Sequence, residues 1–536
     1  MSDKPSRGRV VLGLGVLAVV AATATAAVMA LYANISARKA EARQTSFKVV
    51  ELDETSVDPA PWAKNFPRQF DGFQRTGELT FTKYGGAGAE PKPISKLAED
   101  PRLVTIFDGY AFAIDYNRRR GHAYMLSDQR VTGRVTKRPQ PGSCLHCHAS
   151  NVVAFREVGL KRGAPGSLDE SLTSPHGQAQ LQEGLEGISK MPYGDATKLV
   201  DHAVSCLDCH DPKNMELRVT KPAFIRGIAA LAAGDAPVPH LPSIEKWRKG
   251  DRSRPYDPNR EATRQEMRSM ACGQCHVEYY CGPKATLFFP WNKGLKVEQI
   301  EAYYDEYKFS DGHRFFDWKH AKTGAEVLKA QHPEFETWSQ SLHARAGVSC
   351  ADCHMPYVRE GAIKVSDHHV RSPLLNLSRS CQTCHRFPEE QLQMTILTIQ
   401  DRHHELMIRA EDALVQLIGE VEKARKAGMD EGALKEVFEL QRKAQWRVDF
   451  INAENSMGFH APQEAARVLA ESIDYSRQGY VALGKVRELS TRSAPGTMLG
   501  KASLPDQVAP ALAAAGSAPV DTARSSAQPS GREKRR

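Results

Sequence analysis

Ten of the eleven cysteines stand in five copies of one pattern, C-x-x-C-H. The copies are Cys144, Cys147 and His148; Cys206, Cys209 and His210; Cys272, Cys275 and His276; Cys350, Cys353 and His354; and Cys381, Cys384 and His385. Only Cys281 lies outside them. Two cysteines at i and i+3 share one face of a helical turn, so their thiols can add to the two vinyl groups of one haem. The histidine that follows then lies under the porphyrin and offers a ring nitrogen to the iron. A zinc ribbon or a thioredoxin-like dithiol also uses C-x-x-C, but neither needs a histidine after every second cysteine. Five matches out of five predict five covalently bound haems c.

Five haems have ten axial positions, and the motif histidines fill five of them. With 19 histidines in the chain, 19 − 5 = 14 others remain, so the count leaves two readings open. If every iron is closed by two histidines, the chain is an electron conduit without chemistry of its own; His176 or His202 would then close the last haem. If one sixth position stays open, that iron can bind and reduce a substrate.

The stretch Cys272-Gly-Gln-Cys275-His276-Val-Glu278-Tyr279-Tyr280 resembles the third haem motif of the ammonia-forming cytochrome c nitrite reductases. Leu328-Lys329-Ala-Gln331-His332-Pro-Glu-Phe-Glu-Thr-Trp338, Arg120-Gly-His122-Ala-Tyr and Met457-Gly-Phe-His460-Ala-Pro-Gln-Glu resemble further segments of that family. The resemblance runs from about Trp62 to Ser472, in family order, and leaves out both ends. It implies the pentahaem fold of that family: mainly α with little β, a haem-packed core and long C-terminal helices. It implies that His122 binds the third haem, His368 the second, His343 the fifth and His460 the fourth. His369 adjoins His368, and the spacing to Ser372-Pro373 favours His368. The first haem, on Cys144 and Cys147, is left as the open, catalytic one. On its distal side the resemblance places Arg134, Tyr280 and His332. It also implies one calcium ion, held by the side chains of Glu278 and Gln331 and the backbone carbonyls of Tyr279 and Lys329. The implied activity is the six-electron reduction of nitrite to ammonium by a homodimer that meets through the long helices. A membrane multihaem quinol dehydrogenase or a soluble multihaem cytochrome is the implied donor. Hydroxylamine, nitric oxide and sulfite are implied as alternative substrates; oxidation of hydroxylamine would call for more haems and a crosslink the sequence does not announce. One departure stands out: many members carry C-x-x-C-K at the first haem, whereas this chain has His148 there and no C-x-x-C-K anywhere.

The residue types suit that chemistry. Nitrite is an anion, and a guanidinium meets it with directional donors. Cleaving N–O bonds consumes protons, which an imidazole can deliver, and a phenol can donate a hydrogen bond. Oxygen ligands suit a hard cation. Each residue also has an ordinary alternative. Arg134 stands among Arg130, Lys137 and Arg138, as in a solvated basic loop. Tyr280 reads as a core aromatic, His332 before Pro333 as a capping or surface group, and Glu278 as half of a salt bridge. Cys281 reads either as a small buried hydrophobe or as a thiol that modifies the neighbouring tyrosine.

The elements that position these residues fall into five stretches. Residues 1–9 form a basic lead, with Lys4, Arg7 and Arg9 before an uncharged run over 10–37. That run is long enough to span a bilayer, and its positive flank would stay cytoplasmic. It reads as a signal anchor, or as a signal peptide if cleaved, and sets the rest of the chain on the periplasmic side. Residues 38–388 form the five-haem region, rich in Gly and Pro, with motifs too unevenly spaced for a repeat array. Over 389–490 apolar residues recur at helical spacing, including Ile396, Ile399, Leu406, Met407, Leu414, Leu417, Ile418, Val421, Val437, Leu440 and Trp446. That pattern predicts two to four long helices broken near Gly428 and Gly458. Residues 491–536, rich in Ala, Pro, Ser and Gly, predict a disordered tail. Aromatics are only 7% of the 536 residues, so haem must supply part of the core. The formal charge of +8 belongs to the bare chain; five ferric haems, each adding two propionates and one positive core, would remove about five charges. Nothing in this balance indicates nucleic acid.

Overall fold

Beyond Pro388 the chain has few helix breakers, and a computed structural model, which describes residues 7–44, 48–86, 92–360 and 363–492, folds this stretch into three long helices. They are Glu389–Lys426, Lys435–Ala453 and Pro462–Arg492. Both interruptions carry glycines at positive φ, Gly428 at 81° and Gly458 at 78°, a backbone state that a Cβ penalises. Ile396, Met407, Leu414, Leu417, Ile418 and Val421 are buried along the first helix, so its apolar stripe faces inward.

The region before Pro388 is built of short helices and turns, with three two-stranded antiparallel ribbons: Phe81–Thr82 with Gly85–Gly86, Trp318–Lys319 with Glu326–Val327, and Tyr357–Glu360 with Ile363–Ser366. The architecture is mainly α. Behind the first haem motif, helices Val152–Lys161 and Pro175–Ser189 pack backbone against backbone. A Cβ on Gly184 would lie 1.9 Å from the Phe155 carbonyl oxygen, and one on Gly159 would lie 2.0 Å from that of Gln180. Only glycine allows this approach, and Phe155, Leu181, Leu185 and Ile188 of these helices share one buried apolar cluster with Leu145 of the first motif.

Residues 1–486 form one unit, so the haem region and the long helices are not separate bodies. Its centre is a cavity of about 2450 Å³, lined by cysteines and histidines of all five motifs and by Ile396, Gln400 and Met407 of the first long helix. The N-terminal helix runs Arg7–Gln44, longer than the uncharged run that predicted it. Its apolar part has a mean hydropathy of 2.3 and none of it is buried. A second unit, Arg487–Arg536, is described only over 487–492, where the last long helix ends. The tail expected over 491–536 otherwise lies outside the described residues, as do residues 1–6.

Candidate functional site

Local sequence makes each attachment motif a single turn. The backbone N–H groups of His210, His276 and His385 donate to the carbonyls of Cys206, Cys272 and Cys381, at 2.9, 3.1 and 2.9 Å. In two motifs the residue before the first cysteine caps the turn. Ser205 pairs reciprocally with Asp208, and Ser349 with Asp352. This is the Ser-x-x-acid capping pattern, and it explains why an aspartate precedes Cys209 and Cys353.

Four motif histidines face a second imidazole. Ring centroids lie 6.3 Å apart for His276 and His122, 6.2 Å for His210 and His368, 6.3 Å for His354 and His460, and 6.2 Å for His385 and His343. Such a gap admits one metal between facing nitrogens at bond lengths of about 2 Å. Carbonyls hold the other nitrogen of several rings: Nδ1 of His210, His354 and His368 lies 3.0, 3.0 and 2.8 Å from the oxygens of Met215, Arg371 and Ser366. That leaves Nε2 for iron. His369 turns away from the pair, with Nε2 3.7 Å from Glu78. His276 also has His332 at 6.4 Å. Both present Nδ1 to one oxygen of Glu334, at 3.8 and 3.9 Å, so His332 stands on the Nδ1 side of His276 and His122 is the facing ring.

His148 differs. Its Nδ1 is 3.2 Å from the Met125 carbonyl oxygen, yet no histidine faces it among the described residues. His176 is a surface partner of Glu170, half exposed. His202 meets the first-motif loop only through its carbonyl, which accepts from the Ser150 N–H at 3.0 Å.

Arg134 lines the cavity near this vacancy of imidazole. Its guanidinium lies 4.4 Å from the Phe112 ring centre and joins no ion pair among the described residues. Burial, then the Arg134 cation, pushes His148 down to about 4. His332 is also on the cavity, with Nε2 2.8 Å from Nη2 of Arg119. A guanidinium has no acceptor, so Arg119 donates and the His332 proton rests on Nδ1. Burial, then Arg119, pushes this imidazole down to about 3. Arg119 was not among the residues expected at the site.

Tyr280 is not on the cavity, which corrects the expectation for the distal tyrosine. Tyr280 forms an isolated antiparallel bridge with Phe288, its N–H and carbonyl paired at 3.0 and 3.3 Å. Alternate side chains of an extended segment point to opposite faces. Tyr280 therefore packs into aromatics, 5.5, 5.6 and 5.2 Å from Phe288, Phe309 and Phe315. Tyr279 and Cys281 take the other face and line the cavity. The Tyr279 hydroxyl has no hydrogen-bond partner among the described residues, and burial raises its pKa well above the ordinary phenol value. Cys281 meets the Cys144 thiol, not Tyr280.

Beside the distal residues lies a pocket of buried acids. Glu278 is 0% exposed, and its carboxylate accepts from the Gln331 N–H at 2.6 Å and the Tyr304 hydroxyl at 2.9 Å. The salt bridge considered for it is absent among the described residues. Burial pushes Glu278 well above the carboxylate range, and charge on Asp317 and Glu336 adds to this. Burial likewise lifts Asp317 to about 7 and Glu336 to about 8. Lys329 forms no ion pair with them among the described residues: its Nζ binds Asp449 at 2.8 Å. Neither the Tyr279 nor the Lys329 carbonyl accepts a hydrogen bond among the described residues. Buried carboxylates without an ion-pair partner among the described residues, two vacant carbonyls and the Gln331 amide make a donor set that fits a hard cation. Asp317 and Glu336 were not foreseen here.

The family model for cytochrome c552 matches residues 58–529. The cytochrome c-552 of Parabacteroides distasonis is 34% identical over 463 residues, covering 85% of this chain and 82% of that one. The cytochrome c-552 of Porphyromonas gingivalis is 32% identical over 489 residues, covering 89% and 83%. Among solved structures, the catalytic subunit of cytochrome c nitrite reductase from Desulfovibrio desulfuricans, described with two calcium sites, matches with a TM-score of 0.67 at 27% identity, covering 83% of this chain and 89% of that one.

Proposed function

We infer that this chain, which belongs to the cytochrome c552 family and is a nitrite-reducing oxidoreductase, takes nitrite to ammonium with six electrons at the first of five haems c. One observation carries this reading: four motif histidines face a second imidazole and His148 does not. The four bis-histidine sites would hold and pass electrons, and the position opposite His148 would be left for substrate.

The bound haem supplies an iron with an open coordination position and the electrons for N–O cleavage. The chain supplies charge, orientation and protons. Arg134 and Arg119, neither engaged by a carboxylate among the described residues, give the site a positive field that draws and orients an anion. His332 holds a proton on Nδ1, 3.9 Å from Glu334, and the arriving anion favours its charged form against burial. The Tyr279 hydroxyl, not that of Tyr280, is the phenol able to donate to the substrate. Calcium would bind Glu278, Gln331 and the Tyr279 and Lys329 carbonyls; because Tyr279 and Gln331–His332 belong to both sites, one ion would fix two distal groups.

The N-terminal helix fits a membrane anchor or a signal sequence, and we place the body on the periplasmic side. A membrane quinol dehydrogenase or a soluble multihaem cytochrome would be the donor, with the long helices as the homodimer contact. The test is spectroscopic. The oxidised holoprotein should carry five haems, one of them high-spin and shifted by nitrite, and should form ammonium from nitrite with reduced viologen. An all-low-spin spectrum indifferent to nitrite would make the chain an electron relay instead.

A further inference from the structure

We propose that Lys221 is a positioning residue whose buried ammonium holds the attachment loops of the first three haems together and sets their reduction potentials. The inference rests on the five-haem reading. Lys221 is 1% exposed and Asp208 0%. The three Nζ protons have three acceptors: Asp208 Oδ1 at 2.8 Å, Asn151 Oδ1 at 2.8 Å and the Ala149 carbonyl at 3.2 Å. Ala149 and Asn151 follow His148 of the first motif, and Asp208 lies between the cysteines of the second.

The third motif is tied to the same point through the backbone. The Gln274 side-chain oxygen accepts from the N–H groups of Thr220 and Lys221, at 3.0 and 3.2 Å, and its amide donates to the Asp208 carbonyl at 3.1 Å. Gln274 stands between Cys272 and Cys275. Nearby, the Ala223 N–H donates to Nε2 of His146, inside the first motif, at 3.3 Å. Residues 220–223 thus touch three attachment motifs, while no hydrogen bond or ion pair links Lys221 to the fourth or fifth.

Lys221 and Asp208 both line the cavity. Burial opposes the ammonium charge, and the Asp208 carboxylate at 2.8 Å favours it. Charges in such a place are screened far less than surface charges. Removing only the ammonium leaves a buried anion at the junction of three sites. An anion stabilises the oxidised, more positive form of a nearby haem, so those potentials must fall. Removing both charges restores neutrality.

The experiment is a redox titration of the purified holoprotein followed by electron paramagnetic resonance. The first haem should be recognisable as high-spin. The others should separate because their imidazole planes differ, at 34° for the second, 55° for the third, 71° for the fourth and 90° for the fifth; parallel and perpendicular planes give different low-spin envelopes. Lys221→Met should shift the first three haems to lower potential and leave the fourth and fifth unmoved. Lys221→Arg should keep all five at wild-type values, and Lys221→Met with Asp208→Asn should return the first three towards them. Unmoved potentials, an equal shift of all five, or a double variant no closer to wild type than the single one would overturn the proposal. Should Lys221→Met yield no holoprotein, Asp208→Asn alone supplies the opposite change: a lone ammonium should raise the same three potentials, and no rise overturns the proposal. Fewer than five centres in the wild type would sink the haem reading rather than this inference.

Discussion

Replacing Tyr279 by Phe removes a hydroxyl that binds no other protein group among the described residues. The ring is 6% exposed and would remain packed, so folding stability should change by less than about 1 kcal/mol. Turnover should fall on the order of 10²-fold, the usual loss of an oriented proton donor, equal to about 2.7 kcal/mol of transition-state stabilisation. Replacing Tyr280 by Phe removes a hydroxyl that accepts one long hydrogen bond, 3.3 Å from the Lys284 N–H. That change should cost roughly 0.5–1 kcal/mol in stability and leave turnover as it was, because the ring keeps its contacts with Phe288, Phe309 and Phe315. Thermal melting reads the first quantity, and ammonium formed from nitrite with reduced viologen reads the second. A Tyr280→Phe enzyme crippled in turnover beside an active Tyr279→Phe enzyme would refute the strand-alternation argument.

Arg134→Leu removes a charge-assisted contact worth about 1.5–3 kcal/mol, so the nitrite concentration for half-maximal rate should rise roughly 10- to 150-fold; an unchanged saturation curve would take Arg134 out of the site. Stripping calcium should make stability fall as pH rises from about 4 to 8: Asp317, near 7, and Glu336, near 8, sit above their unfolded values, so each stabilises the fold while protonated and loses that contribution as pH passes its folded value. Saturating calcium should flatten this slope, and parallel melting curves with and without chelator would refute the site. Lys329→Met leaves Asp449 buried and alone beside the loop that carries Gln331 and His332, and should cost about 3–5 kcal/mol by denaturant titration; a loss under 1 kcal/mol would mean that the pair does not hold the loop.

The attachment motifs were legible because their chemistry is local: two thiols and an imidazole on one turn need no tertiary information. The three long helices were legible for the same reason, from apolar period and from Gly428 and Gly458. Pairing of distal imidazoles is different. His122 meets His276, and His368 rather than His369 meets His210, only because distant segments fold onto one cavity; family resemblance, not spacing, pointed to these pairs. Which of two adjacent tyrosines meets the cavity also depends on tertiary pairing. Tyr280 is fixed by its bridge to Phe288, while Tyr279 and Cys281 on either side of it line the cavity. Arg119, Asp317, Glu336 and Lys221 carried no local signal, since each matters through a partner far along the chain.

A cavity of about 2450 Å³ stands where most proteins of this size keep their packed centre. Buried apolar clusters lie around Leu145 and along the long helices, but the four facing imidazole pairs share no hydrogen bond among the described residues. A group that fills this space would tie together segments as far apart as Cys144 and His460, so its arrival would stiffen the whole region at once.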